Sequence, residues 1–417
     1  MPDIDVDYDR SFKADIIQYE RDRNGASNFA KIQTFQTMAS KAVVKDCARV
    51  YGFPPAVGAK FSKLIGKNAS LEEAWKNNSD LRDFVGSDKG YEKVWNIARK
   101  LEGTKRSAST HACGHIPTPV PCEELFPCSL DKDGLLICQY DMTEVEHLGN
   151  LKKDLLMLRN LTIIDVASKL VKSRTGLDVP MYQKDLLNDK EALAMIAAGD
   201  TDGVFQLEES GMRKFMTQLK PKTFADISAG VALYRPGPMD YIPEYLQNRK
   251  NPNDIKYEVP ALAKILGETY GVIVYQEQAM EICRELAGFS MAESDVVRKG
   301  MAKKKQDVLD AERGKFIYGN DQFPGCVANG IPEQTAIELW DKMKEFGKYA
   351  FNKSHSVAYA FISMQTAYLK AHFPLEYYAG LLTSVMDKTD KLAKYVSDVR
   401  SHGITLLPPD VNSSEKT

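Results

Sequence analysis

Pro2-Asp3-Ile4-Asp5-Val6-Asp7-Tyr8 alternates apolar and acidic residues with a period of two. That is the pattern of a β-strand with two different faces, so Asp3, Asp5 and Asp7 share one side and Ile4, Val6 and Tyr8 the other. Three carboxylates on one face repel each other unless water or a cation screens them. Oxygen ligands clustered this tightly suit a hard divalent cation, Mg²⁺ ahead of Ca²⁺ or Zn²⁺. Two such ions about 3.5–4 Å apart are the usual clamp for in-line phosphoryl transfer. A solvated edge strand would show the same alternation, and a cation site needs a third ligand from elsewhere.

The 417 residues are enough for two or three domains with a sizeable core. With 43% hydrophobic and 27% charged residues the composition is that of an ordinary globular protein. The formal net charge is −2, so any nucleic-acid surface has to be a local basic patch. No run of 18 apolar residues predicts a transmembrane helix, and the acidic start does not read as a signal peptide. Seven cysteines, none in Cys-x-x-Cys, predict reduced thiols and a cytoplasmic location. The nearest approach to a zinc set is Cys113, His115, Cys122 and Cys128, whose spacing matches no standard site.

Residues 11–50 read mainly as helices, with Ile32 to Phe35 as a short strand-like piece. Lys41, Lys45 and Arg49 recur four apart on one helix face. Residues 56–106 are helical and lysine-rich, including Lys63 and Arg106; they are either a solvated face or a grip on a phosphate backbone. Residues 107–150 turn to Ser, Thr, Gly, Pro and Cys, which predicts β-structure with loops carrying His111, His115 and His147. Residues 151–161 read as an apolar strand passing into a helix at about Thr162. Asp154 is the single acid in that strand, and either a metal or a neighbouring Lys152 or Lys153 has to satisfy it.

From 166 onward the pattern is mainly helical. Asp202 to Glu208 reads as a short strand or turn. Arg235-Pro236-Gly237-Pro238 reads as a rigid turn presenting Arg235, and Tyr270 to Gln278 as a β-branched run entering a helix. The densest basic patch runs from Arg298 through Lys303, Lys304 and Lys305. Phe351-Asn352-Lys353-Ser354-His355-Ser356 opens a long helix ended by Pro374, and a helix start with these residue types is suited to an anion.

Taken in order, these blocks resemble the alpha subunit of bacterial DNA polymerase III, the C-family of replicative polymerases. The resemblance runs from Met1 to about Asn412. It is carried by Pro2 to Asp7, Thr34 to Ala39 with Lys41 to Val43, Leu101-Glu102-Gly103 and Leu158-Arg159-Asn160-Leu161-Thr162. Further on it is carried by Gly203 to Glu208, Arg235 to Pro238, Tyr275 to Gln278, Phe351 to Ser356 with Ala358-Tyr359, and Gln365-Thr366 with Leu369 to His372.

The resemblance implies an α+β, mostly α-helical fold. A partial nucleotidyltransferase-like palm sheet covers residues 1–34 and 107–165, an inserted helical thumb 35–106, and large helical fingers 166–417. It implies that Asp3, Asp5 and Asp154 are the catalytic, metal-holding carboxylates for two Mg²⁺, and that Asp7 is not one of the three. Lys152, Arg235, Asn352, Lys353, Ser354 and His355 are then the phosphate-binding residues. The basic residues picked out above, Lys41, Lys45, Lys63, Arg106, Arg298, Lys303 and Lys304, are the candidates for contact with DNA. The implied activity is that of a DNA-directed DNA polymerase acting on primer–template DNA and dNTP, in a bacterial or phage-infected cell.

Departures from the family pattern are Thr110-His111-Ala112-Cys113-Gly114, where a Lys usually precedes the histidine and two glycines follow, and Lys153-Asp154-Leu155-Leu156-Met157, where Phe-Asp-Phe-Leu-Gly is usual. The family's phosphatase-like domain, its upstream Gly-Ser palm segment and its downstream clamp-binding modules are expected to lie outside this sequence. Contacts with a sliding clamp or clamp loader would run through those regions. The chain thus reads as a palm–thumb–fingers fragment or one piece of a split polymerase. The alternative function is a catalytically incomplete nucleic-acid-binding piece that needs a partner chain. An unrelated Mg²⁺ phosphohydrolase is the third reading.

Overall fold

A computed structural model of the chain describes residues 4–66, 69–302, 305–347, 349–408, 410–412 and 414. Asp3, Lys303 and Lys304 lie outside the described residues. The chain forms two compact units, Met1–Leu158 and Arg159–Thr417.

The first unit is built on six strands: β1 (Ile4–Asp9), β2 (Phe29–Thr37), β3 (Lys105–Pro117), β4 (Cys128–Leu130), β5 (Leu136–Cys138) and β6 (Lys153–Leu158). Their order is β1-β6-β3-β2-β5-β4. The first strand pairs parallel with β6, so two segments almost 150 residues apart in sequence become neighbours, with Asp5 opposite Asp154. On its other side β6 runs antiparallel to β3, with Gly114 opposite Asp154 and His115 opposite Lys153. Period-two alternation then sorts the side chains. Asp5, Asp154, Gly114 and Ile116 share one face; Ile4, Lys153, His115 and Lys31 share the other.

The second of these faces is met by the helix Lys13–Asn24, whose buried Glu20 accepts from Lys153 Nζ at 2.5 Å and from the Asn24 side chain. This explains how a lysine stands in the strand beside Asp154: it points away from Asp154 and ends on its own carboxylate. Ala30, Ile32, Ile116, Cys122, Phe126, Cys138 and Val145 form the sheet's apolar cluster.

Between β2 and β3 the chain leaves the sheet as five helices: Ser40–Val50, Pro55–Ile65, Leu71–Asn77, Ser79–Gly86 and Lys89–Leu101. Their starts are set by local chemistry. Pro55 sits in the first turn of its helix, Ser70 and Glu73 form a reciprocal capping box, and Asp88 accepts from the backbone of Gly90 and Tyr91. They bury a separate core of Val43, Phe61, Leu71, Leu81, Val94 and Trp95, in which Trp95 stacks on both Trp75 and Phe61.

Several expectations are corrected here. The strand around Ile32 is nine residues long, because pairing with both β3 and β5 extends it. His111 and His115 lie on β3 rather than on loops, and His147 ends the short helix Met142–His147. The helix after β6 begins at Arg159, not near Thr162, and is continuous to Thr175. That helix packs on Pro374–Thr383 and belongs to the second compact unit. Of the two forms expected for residues 202–208, the turn is the one found, and the β-branched run from Tyr270 enters the helix Gln276–Ala287 as expected, with Tyr275 making an isolated bridge to Phe351.

The second unit is helical and centred on Lys353–His372, which buries Ser356, Ile362, Ser363, Met364, Thr366, Leu369 and Lys370 among its ten buried residues. Phe224–Leu233, Lys190–Ala198, Arg159–Thr175 and Pro374–Thr383 pack around it. No helix among the described residues is long and apolar enough to cross a membrane.

Candidate functional site

In the first unit the parallel register sets Asp5 and Asp154 side by side on one face. Asp154 Oδ2 accepts from Lys152 Nζ at 2.7 Å, and both side chains are largely buried, at 13% and 17% exposure. Its other oxygen, Oδ1, is buried with no hydrogen-bond partner among the described residues. A buried carboxylate oxygen without a partner is costly, and a cation is the usual remedy. Lys152, two residues before Asp154, lies on the same face, so the predicted phosphate contact is at present a contact to the carboxylate. Asp5 is exposed and Asp7 half-buried.

Gly114 sits level with Asp154 on the next strand, where a Cβ would meet His111 Nδ1 at 2.9 Å and Ile32 Cδ1 at 3.2 Å. His111 Nδ1 accepts from the backbone N–H groups of Gly114 at 2.6 Å and Cys113 at 3.2 Å. An Nδ1 that accepts leaves the neutral ring's proton on Nε2. The departure at Ala112-Cys113 therefore still supports a histidine of fixed tautomer.

His115, on the opposite face, is buried and stacked on Phe29 with ring centroids 5.1 Å apart. Its Nδ1 lies 2.7 Å from the Cys113 carbonyl oxygen. Burial pushes its pKa down from 6.5 to about 4; nearby Lys31 and Lys13 add to this, and the Cys113 carbonyl opposes it. The folded pKa lies below the unfolded one, so the unfolded state binds more protons between the two values. Stability is therefore expected to fall as pH drops from about 6.5 toward 4, by ~3 kcal/mol for this group. Urea unfolding of the metal-free chain across that range checks it; His115→Phe should flatten the dependence.

The zinc reading finds no support: among the described residues Cys113, His115, Cys122 and Cys128 do not converge. Cys122 lies against Thr118 Oγ1, and Cys128 Sγ donates to the Phe126 carbonyl. The one set of three ligand-type side chains that does converge among the described residues is Asp200, Asp398 and His402. It already holds a cation, the buried Lys370 ammonium, 2.7 Å from Asp200 and 3.0 Å from Asp398.

In the second unit, the turn at Arg235-Pro236-Gly237-Pro238 fixes the guanidinium. Arg235 Nε donates to the Ala232 carbonyl at 3.1 Å and Nη2 to the Tyr349 carbonyl at 2.8 Å, and its plane lies 4.0 Å from the Phe351 ring centre. Burial lowers its pKa from 12.5. Tyr275 and Phe351 bridge next to it, which brings together two blocks far apart in sequence. Asn352 caps the following helix by accepting from the His355 backbone at 2.9 Å and from the Ser354 hydroxyl. The His355 ring lies between Phe351 and Tyr359, at 5.2 and 4.2 Å.

This helix start already carries negative charge. The Lys353 backbone N–H donates to Glu277 at 2.9 Å, and Lys353 Nζ donates to both oxygens of Glu268, at 2.6 and 2.8 Å. Sequence reasoning gave neither glutamate a role. Glu277 stood in the Tyr275-Gln276-Glu277-Gln278 block, and a carboxylate aimed at a helix N-terminus is what the dipole favours.

Of the basic residues predicted to meet DNA, Lys45 and Lys63 are exposed and Lys41 half-buried, and none makes an ion pair among the described residues. Arg106 is paired with Asp46 at 3.0 Å and Arg298 with Asp295 at 2.7 Å.

Comparison with known proteins places these features in one family. Residues 1–157 match the family model for the bacterial DNA polymerase III alpha NTPase domain, and residues 160–322 that for the bacterial DNA polymerase III alpha subunit finger domain. The two matches meet where the compact units divide. Named relatives are DNA polymerase III subunit alpha of Thermus aquaticus, 42% identical over 99% of this chain and 34% of the relative, and that of Bacillus subtilis, 40% identical over 99% and 37%. That of Mycobacterium tuberculosis is 41% identical over 99% and 36%. The chain spans about a third of the length of these relatives. With both domain matches and the whole-chain identity in agreement, the chain belongs to the bacterial DNA polymerase III alpha subunit family.

Proposed function

We propose that this chain carries the catalytic residues of a template-directed DNA polymerase, transferring a nucleotidyl group from dNTP to a primer 3′-hydroxyl. The observation that carries this reading is the pair Asp5 and Asp154, level on adjacent parallel strands, with a buried Asp154 oxygen that has no hydrogen-bond partner among the described residues. An all-oxygen donor set of this kind fits Mg²⁺. Asp3, two residues before Asp5, completes the set in the family pattern. When bound, two Mg²⁺ supply Lewis acidity to the attacking hydroxyl and neutralise charge on the triphosphate.

The chain's own groups do the rest. Lys152 balances Asp154 and becomes available to a phosphate once a cation takes over that oxygen. Arg235 offers planar donors held by two carbonyls. Asn352, Lys353, Ser354 and His355 present a helix start to the triphosphate, whose oxygens replace the carboxylates of Glu277 and Glu268. That exchange makes phosphate binding competitive rather than free, which favours a multiply charged ligand over a single anion.

Duplex affinity is expected to fall steeply with salt. Replacing Lys41, Lys45 and Lys63 together by Ala should reduce the slope of log K against log[salt] by about 1 for each of these lysines that meets a phosphate. Fluorescence anisotropy of a labelled duplex between low and physiological salt measures it. An unchanged slope removes these lysines from the DNA surface.

Primer extension with each dNTP offered singly, against four templates, tests the reading itself. Addition of the complementary nucleotide only is the expected result. Hydrolysis of dNTP without a primer would point instead to a phosphohydrolase.

One observation favours the second reading, a piece that needs a partner chain. Among the described residues β1 is an end strand of the sheet, so the strand bearing Asp5 has an edge that a further strand can pair with. In that case folded chain binds duplex in a salt-dependent way and extends nothing until the partner is added.

A further inference from the structure

The turn at residues 202–207 is held by side-chain hydrogen bonds to its backbone. Phe205 N–H donates to Thr366 Oγ1 at 3.1 Å, and the Phe205 carbonyl accepts from Ser363 Oγ at 3.0 Å. The Gly203 carbonyl accepts from the Tyr377 hydroxyl at 2.8 Å, that of Leu207 from Thr201 Oγ1 at 2.6 Å, and that of Asp202 from Lys370 Nζ at 3.0 Å. The five side chains that make these bonds are all buried.

What they hold is a residue in a conformation it disfavours. Gln206 has φ 61°, one of three non-glycine residues with positive φ among the described residues. Gly203, Val204, Phe205 and Leu207 around it are buried, while Gln206 is exposed. Its side chain makes no hydrogen bond among the described residues. It lines two cavities at once, one of about 300 Å³ with Arg159, Asn160, Lys391 and Tyr395, and one of about 140 Å³ with Arg235, Phe351 and Tyr359. A strained backbone over-determined by buried groups, presenting one free polar side chain beside a cation, points to a ligand contact.

The chemistry of the amide narrows the ligand. Arg235 already supplies positive charge on that side, and an uncharged amide adds little for a phosphate. It adds a directional donor and acceptor. In the minor groove every base presents an acceptor, purine N3 or pyrimidine O2, so one donor can serve all four nucleotides alike.

We propose that Gln206 is a substrate-binding residue whose side-chain amide donates to the minor-groove acceptor, common to all four bases, of the nucleotide held beside Arg235. This rests on the polymerase reading above. The strain then has a use: the left-handed backbone sets the amide before substrate arrives.

The test is single-nucleotide addition by wild type, Gln206→Ala and Gln206→Glu with dATP and with 3-deaza-dATP, in which a C–H replaces N3. Gln206→Gly serves as a fold control, since glycine relieves the backbone and its melting temperature should be no lower than that of wild type. Wild type should lose roughly 3- to 10-fold in kcat/KM on the analogue, the size of one neutral hydrogen bond. The Ala and Glu variants should show that loss already with dATP and no further loss with the analogue. A purely structural role would leave the analogue effect intact in all variants, and this result overturns the proposal. Equal use of both nucleotides by an active wild type also overturns it, while leaving the polymerase reading in place. A wild type that adds no nucleotide, alone or with a partner chain, sinks both.

Discussion

Asp154→Asn is expected to lower nucleotide addition by about 10³-fold or more, because losing a metal ligand removes several kcal/mol of transition-state stabilisation. The substitution keeps the shape of the side chain and removes only its charge. Asparagine leaves an oxygen for the Lys152 ammonium but removes the charge that balances it, so the metal-free variant is expected to lose about 1–3 kcal/mol of stability. Duplex affinity is expected to stay near wild type while single-turnover extension collapses by far more than that stability loss explains. A stability loss large enough to account for the lost extension would mean that Asp154 acts mainly through its bond to Lys152.

The second large effect is expected at Arg235. Replacing it with Ala should raise the KM for dNTP by roughly 10- to 100-fold, the value of one or two charge-assisted hydrogen bonds. Lysine should not restore it, because it reproduces neither the planar fork nor the stack on Phe351. Arg235 also satisfies the Ala232 and Tyr349 carbonyls, so the Ala variant is expected to lose about 1–3 kcal/mol of stability. Steady-state kinetics beside urea unfolding separates the two losses. A normal KM in a destabilised variant would make Arg235 a structural tie alone.

The residues that announced the fold were those with strict period or special chemistry. The alternation at Ile4 to Tyr8 is a strand, and the capped, amphipathic stretch from Ser40 to Leu101 is helical. What could not be read was pairing across distance. Nothing local shows that β1 lies parallel to β6, and it is this register that brings Asp5 to Asp154. Tyr270 to Val274 has the composition of a strand, but its neighbours offer only the single bridge from Tyr275 to Phe351. Lys153 looked like a fault in a catalytic strand until Glu20 appeared beneath it. The helix start at Lys353 read as an open anion site; the structure shows that Glu277 and Glu268 occupy it, a detail that depends on the helix Gln276–Ala287 packing nearby.

The central claim is that the Asp5 and Asp154 face holds divalent cations. Titration of the metal-free chain with Mn²⁺, a spectroscopic stand-in for Mg²⁺, reads this directly by electron paramagnetic resonance, independent of any activity. Wild type is expected to take up the ion, and Asp5→Asn combined with Asp154→Asn to weaken uptake by at least about 10- to 100-fold, since even outer-shell changes cost that much. Uptake that is equal in the two proteins would contradict the account.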